Sequence, residues 1–262
     1  MSGFDFTGAV VVVTGAAAGI GQGIAQAFHA AGGRVALGDV RKDAVGRAAT
    51  ALGGDRVFAG AVDVRNERSV QEFFAGAERA LGPVTIAVAN AGIYPNCPVL
   101  DMNVEEWDRV METNLRGVFL TSQAAARSMT AAGRSGKIIT ISSGAYASGR
   151  VGASHYCASK AGVVMFTRVL AMELAERRIH VNCIAPGYIK VDSGTSPLTS
   201  DYETAIMRNI PWGRAGTPAD IAQAALFLAS PLADYVTGEV LSVNGGAAAG
   251  RAYLPLSTPR TR

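Results

Sequence analysis

The stretch "AVVVVTGAAAGIG" at residues 9–21 decides the fold. Its first half is an unbroken apolar run of strand length closed by Thr14. Such a run suits a strand buried on both faces of a parallel sheet. Its second half, from Gly15 through Gly19 and Ile20 to Gly21, is small and glycine-rich, and a helical pattern begins near Ile20. Glycines let the backbone turn sharply and approach a pyrophosphate, while the exposed N–H groups of the helix start face the negative charge. The spacing G-x-x-x-G-x-G departs from the commoner G-x-G-x-x-G. The nucleotide reading therefore rests on the loop's place after a first strand.

The same alternation continues along the chain. Strand-like runs recur at 34–40, 56–64, 84–92, 136–143, 179–187 and 238–246. Stretches of helical length lie between them, at about 20–32, 41–52, 66–81, 103–131, 154–177 and 217–229. Repeated strand–helix order predicts an α/β, Rossmann-type doubly wound parallel sheet of about seven strands, with helices on both faces and right-handed crossovers. With 262 residues, 49% of them hydrophobic, and no shift in composition, residues 1–262 read as a single dinucleotide-binding and catalytic domain. Segment 188–212 reads as an irregular substrate loop or lid, and 247–262 as a Pro-containing basic tail.

Composition excludes several classes. The net charge of +3 is small and its basic residues are scattered, so nucleic acid is not an expected partner. "RRIH" at 177–180 reads as a helix end. No run approaches the roughly 18 apolar residues of a membrane span, and the N-terminus lacks a secretory pattern. The three cysteines, Cys97, Cys157 and Cys183, form no CxxC pair and suit a reducing cytoplasm. His29, His155 and His180 are too dispersed for a metal site.

In sheets of this kind ligands collect at the carboxyl ends of the strands. The second strand ends at Asp39, where a carboxylate can accept hydrogen bonds from an adenosine ribose. It would also repel a 2′-phosphate, by about 4 kcal/mol at about 4 Å and an effective dielectric near 20. This selects NAD over NADP, with Arg41 and Lys42 as opposing cations. In "YCASK" (156–160), Tyr156 and Lys160 lie four apart and share a helix face. A neighbouring ammonium favours the phenolate and typically moves such a pKa by about 1–3 units, towards a range useful for proton transfer.

Taken with TGAAAGIG at the first strand, "NAG" (90–92), Ser143 thirteen residues before Tyr156, and "PG" (186–187), the sequence resembles the short-chain dehydrogenase/reductase family from about residue 7 to 246. The resemblance implies Tyr156 as general acid/base, Lys160 as the group that lowers its pKa and holds the nicotinamide ribose, and Ser143 as hydrogen-bond partner of the substrate oxygen. Ser142 is its rival. Asn114, in "METNLRG", matches a fourth catalytic position that bends a long helix and anchors a water leading to the lysine. The cofactor would be held by Gly15, Gly19, Ile20 and Gly21, by Asp39, by Asp63 and Val64 at the adenine, by Asn90, Ala91 and Gly92, and by Pro186, Gly187 and Ile189 around the nicotinamide.

One position departs from the pattern. Val191 stands where the family usually has a threonine that grips the nicotinamide, with Ser193 or Thr195 as substitutes.

The implied activity is NAD-dependent hydride transfer between the cofactor and a secondary alcohol or ketone. A cyclic or aromatic substrate is expected from Tyr94, Tyr146, Tyr188, Met207 and Trp212 in the presumed walls 93–98, 144–155 and 188–212. A 3-oxoacyl-thioester reductase, usually NADPH-dependent, and a non-catalytic NADH sensor are the alternatives. An enoyl reductase would need a lysine where Val163 stands. His155 reads as a surface or interface residue, or as a substrate contact, and Cys157 as a packed small hydrophobe. The broad apolar face of "VVMFTRVLAMELA" (163–175) and the family's habit imply a homotetramer.

Overall fold

A computed structural model describes residues 3–191 and 200–250. Seven strands form one parallel sheet: β1 (Val10–Thr14), β2 (Arg34–Asp39), β3 (Val57–Ala61), β4 (Ile86–Ala89), β5 (Gly136–Ile141), β6 (Ile179–Pro186) and β7 (Val240–Val243). Their spatial order is β3-β2-β1-β4-β5-β6-β7. The order reverses between β1 and β4, which pair through Val11–Ile86, Val12–Ala87 and Val13–Val88. A crevice for a ligand opens at such a reversal, at the carboxyl ends of the strands.

β1 shows why the run had to be apolar throughout. Successive side chains point to opposite faces of the sheet. Val11 and Val13 enter one core with Ile24, Phe28, Leu37, Ile221 and Leu226. Val10 and Val12 enter the other with Phe73, Phe74, Met129, Ile138 and Val181. The first core lies under α1 (Gly19–Ala30), α2 (Lys42–Leu52) and α8 (Pro218–Ala229); the second lies under α3 (Glu67–Leu81), α5 (Gly117–Ala131) and α6 (Ser154–Leu174).

Two expectations need correction. The pattern over 103–131 is two helices, α4 (Val104–Met111) and α5, joined by a π-helical turn at Glu112–Arg116 that carries Asn114. An extra residue in the turn swings Asn114 inward, where its amide finds backbone partners. Segment 188–212 is not wholly irregular, because α7 (Ser200–Met207) forms within it. Residues 192–199 of that loop, with Ser193 and Thr195, and tail residues 251–262 lie outside the described residues. "RRIH" is a helix end, as expected: Arg177 closes the 3₁₀ turn that follows α6, Arg178 caps it at φ 55°, and Ile179 and His180 open β6.

Candidate active site

The β1–α1 turn is built for close approach. Gly15 (φ 65°) and Gly19 (φ 58°) take the left-handed backbone that side chains disfavour. A Cβ on Gly15 would stand 2.8 Å from Ala91 Cα, and one on Gly21 would strike the Gly15 carbonyl. Ala18 precedes α1 and provides no side-chain cap, and the first turn holds no acidic residue. The N–H donors around Ile20 are thus left for an anion from outside. Asn90 fixes the neighbouring strand end, donating from Nδ2 to Thr14 O (2.9 Å) and Gly15 O (3.2 Å). Buried Thr14 accepts through Oγ1 from the backbone N–H groups of Asn90 and Ala91.

Asp39 is buried at the end of β2. Its Oδ2 accepts from Ala17 N (3.2 Å), so it ties the glycine turn to the second strand. Its Oδ1 accepts from Arg41 N (3.0 Å) and Arg41 Nε (3.1 Å). One of the two opposing cations is therefore its direct partner. Asp63 pairs with Arg65 at 2.7 Å, and the guanidinium's hydrogen bond is the main pull that holds the Asp63 carboxyl below its usual range. Val64 is buried against Gly117, where a Cβ would come 2.6 Å from Val64 Cγ2. These residues, with the glycine turn, make a cradle and a ribose-side carboxylate that fit a dinucleotide.

On the other side of the crevice, the two serines after β5 separate cleanly. Ser142 is buried and donates to Lys160 O at 2.8 Å, anchoring α6 to the sheet. Ser143 accepts from Ala145 N (3.2 Å), and its side chain is near enough to the Tyr156 phenol to pull that group's pKa down. The first turns of α6 bring up Tyr156 and Lys160. Lys160 Nζ lies 5.8 Å from the Tyr156 ring centroid and donates to Ile141 O at 2.9 Å. Burial pushes its ammonium down to about 8. Asn114 is fully buried; its Oδ1 accepts from Ile93 N and its Nδ2 donates to Ile93 O, each at 2.8 Å, and Nδ2 also donates to Ser159 Oγ at 3.2 Å. Gly92 lies beside both, since a Cβ there would be 3.2 Å from Asn114 Oδ1 and 3.5 Å from Lys160 Nζ.

The phenol of Tyr156 does not follow the sequence reading. Burial raises its pKa above the ordinary range, and the Ser143 hydrogen bond and the Arg150 charge oppose this only in part. The cation that lowers it electrostatically is Arg150, whose Cζ lies 5.8 Å from the ring centroid, although Lys160 Nζ stands at the same distance. Arg150 was not singled out from the sequence. A cation in a glycine-containing loop six residues before the tyrosine was the available signal.

Around the nicotinamide side, Gly187 N donates to Val243 O (2.9 Å), which fixes the turn after Pro186. Ile189 bridges to Gly216, and Val191 Cγ1 would be 3.4 Å from a Cβ on Gly19. Val191 thus leans over the glycine turn. The aromatic wall is less complete than expected. Tyr146 packs on the core cluster of Ala89, Val118 and Val163, and the Tyr188 hydroxyl donates to Glu203. Tyr94 and Trp212 remain exposed. His155 is fully buried, with Nε2 3.8 Å from Glu106 Oε1, and is not a surface residue.

Comparison with known proteins shows the family and agrees with the fold. A family model described as "Enoyl-(Acyl carrier protein) reductase" matches residues 15–248. A 3-oxoacyl-[acyl-carrier-protein] reductase FabG of Vibrio cholerae is 40% identical over 242 residues, covering 92% of this chain and 98% of its own. Nodulation protein G of Rhizobium sp. (strain N33) is 41% identical over 245 residues, covering 94% and 99%. A short-chain type dehydrogenase/reductase from Mycobacterium marinum superposes with a TM-score of 0.89 at 38% identity, covering 94% of this chain and 98% of its own. The chain belongs to the short-chain dehydrogenase/reductase family, a family of nicotinamide-dependent oxidoreductases.

Proposed function

We propose that the protein is an NAD-dependent oxidoreductase acting between a secondary alcohol and a ketone. The carrying observation is the meeting of Ser143, Tyr156 and Lys160 beside the glycine turn at the sheet's reversal point. A nicotinamide cofactor supplies the hydride acceptor or donor. Gly15, Gly19, Ile20 and Gly21 would hold its pyrophosphate, Asp39 its ribose, Asp63 and Val64 its adenine, and Asn90 to Gly92 with Pro186, Gly187 and Ile189 its remaining length.

The chain's own groups handle the proton. In reduction the Tyr156 hydroxyl gives its proton to the carbonyl oxygen, and Ser143 hydrogen-bonds that oxygen as negative charge develops on it. In oxidation the phenolate takes the alcohol's proton. A phenol held above its ordinary range is protonated at neutral pH, which favours the donor role. Lys160 offers a cation that stabilises the phenolate left behind. Asn114 positions this machinery through Ile93 and Ser159.

The relatives favour a second reading, a 3-oxoacyl-thioester reductase. Asp39 argues against the NADPH preference usual for that activity, although Arg41 offsets part of its charge. Val163, buried in α6, argues against an enoyl reductase, and the intact Ser143, Tyr156 and Lys160 argue against a sensor without turnover. The test is an absorbance assay with NADH and NADPH in parallel on cyclic and aromatic ketones and on acetoacetyl thioesters. Reduction of simple ketones with NADH supports the first reading. Strict NADPH use on thioesters alone supports the second.

The proposed setting is cytoplasmic. No helix among the described residues is long and apolar enough to cross a membrane. The proposed assembly is a homotetramer. Met165, Val169 and Met172 of α6 stand exposed, as does Phe119 of α5, which packs edge-on against Phe166. Sedimentation as a monomer only would contradict this.

A further inference from the structure

The turn of α6 that carries Tyr156 and Lys160 is held by two buried hydroxyls. In an α-helix each N–H bonds the carbonyl four residues earlier, so the ladder joins Lys160 N to Tyr156 O. Every backbone carbonyl has a second lone pair to offer. Ser159 Oγ donates to Tyr156 O at 2.7 Å, and Ser142 Oγ donates to Lys160 O at 2.8 Å. Neither bond is needed to close the helix; each ties the backbone of an active-site residue to something else. Ser159 Oγ accepts from Asn114 Nδ2 (3.2 Å), and Asn114 is bonded twice to Ile93. Ser142 follows directly on β5, next to Ile141, whose carbonyl takes the Lys160 ammonium at 2.9 Å. Lys160 is thus held at its backbone and at Nζ by two consecutive residues. Ser142, Ser159 and Asn114 are all buried, so bulk water does not compete for these bonds.

We propose that Ser142 and Ser159 are positioning residues for the reaction, a pair of hydroxyls that together fix the distance and aim of Tyr156 and Lys160. This inference rests on the oxidoreductase reading above. Neither serine touches a reacting atom; the contact with the substrate oxygen stays with Ser143. Serine is a mediocre helix former, and its back-bonding slightly destabilises a helix interior, so Ser159 adds nothing to α6 as a helix. What it adds is a link. Through Asn114 it joins Tyr156 to the π-helical turn and to the segment after β4. Ser142 does the same for Lys160 from the end of the sheet. A proton donor and its neighbouring cation work only when held to within about 0.5 Å of the productive geometry, and supporting hydrogen bonds supply that precision.

The test compares wild type with Ser142→Ala, Ser159→Ala, the double variant and Ser159→Thr in ketone reduction with NADH. NMR titration of labelled lysine side chains, with the Lys160 signal identified by its loss in Lys160→Met, gives a readout independent of turnover. Each alanine variant should lower kcat by about two- to tenfold with KM and NADH affinity unchanged. Ser159→Thr keeps the hydroxyl and should recover most of the loss. The Lys160 ammonium, pushed down to about 8, is enclosed by the Ile141 carbonyl, the Tyr156 ring and Cys183. Released, it reaches water and should titrate higher, and the alkaline fall in ketone reduction should move up with it. Denaturant midpoints on the same samples account for any loss of folded protein. The two hydroxyls hold different residues, so either single variant carries the test. A shifted Lys160 titration with no turnover in any form, wild type included, would uphold the positioning role and sink the oxidoreductase reading. Wild-type turnover that both alanine variants leave unchanged would keep that reading and overturn the proposal. So would a fall in kcat that only follows the folded fraction, with the Lys160 titration and the pH profile unmoved.

Discussion

Asn114 and Ile93 are tied twice: the amide oxygen accepts from the Ile93 N–H and the amide nitrogen donates to the Ile93 carbonyl, both at 2.8 Å. The π-helical turn that interrupts α4 and α5 is what turns this side chain inward. It satisfies the backbone of an irregular segment that has left the sheet, where unpaired groups would be costly.

Asn114→Leu should therefore destabilise the protein markedly. It strands both polar groups of Ile93, and each buried group left unsatisfied costs about 1–3 kcal/mol. Denaturant unfolding checks this, and an unchanged midpoint would mean that water replaces the amide without loss.

Asp39 and Arg41 should set cofactor choice in opposite senses. Asp39→Ser removes the repelling carboxylate and releases Arg41 towards a 2′-phosphate, so the NAD-to-NADP ratio of kcat/KM should fall by about tenfold or more. Arg41→Ala leaves the carboxylate without its counter-charge and should raise that ratio. Parallel steady-state kinetics on both cofactors decide it; a ratio unmoved by either change would refute the assignment.

Burial of Lys160 predicts a pH signature. Its folded pKa of about 8 lies below the ordinary 10.5, so the unfolded chain holds more protons between these values. Stability rises with pH wherever the unfolded state binds more protons. Below pH 8 the ammonium is charged in both states and its burial cost is constant. From about 8 to 10 stability should climb, until Tyr156, whose folded pKa is raised above 10.0, begins to work against it. The climb should be absent in Lys160→Met. Chemical denaturation across this range measures it.

Val191 leans over Gly19 without a hydroxyl to offer. Val191→Thr should tighten NADH binding, by up to about tenfold if one new hydrogen bond of about 0.5–1.5 kcal/mol forms. Fluorescence titration of NADH reads the change, and an equal or weaker affinity would place the nicotinamide's partners elsewhere.

Much of this was legible in the chain. The continuous burial of β1 required the Val run, and the positive φ of Gly15 and Gly19 required glycine where the turn bends. The four-residue spacing of Tyr156 and Lys160 carried their shared face. Other features depended on contacts between distant segments. The π-turn at Asn114 follows from its bonds to Ile93, which a helical periodicity does not contain. The raised pKa of Tyr156 and the place of Arg150 over its ring arise from burial and from a loop latched to Asn96. Tyr146, expected in the substrate wall, and His155, expected at the surface, at an interface or against substrate, are drawn inward by packing against α5 and α4.

The most direct test of proton transfer by Tyr156 is Tyr156→Phe, compared with wild type for ketone reduction by absorbance and for NADH binding by fluorescence titration. The account predicts turnover lowered by orders of magnitude with NADH affinity retained, because only the proton donor is removed. Turnover within a few-fold of wild type would contradict it and move the acid/base role to another group.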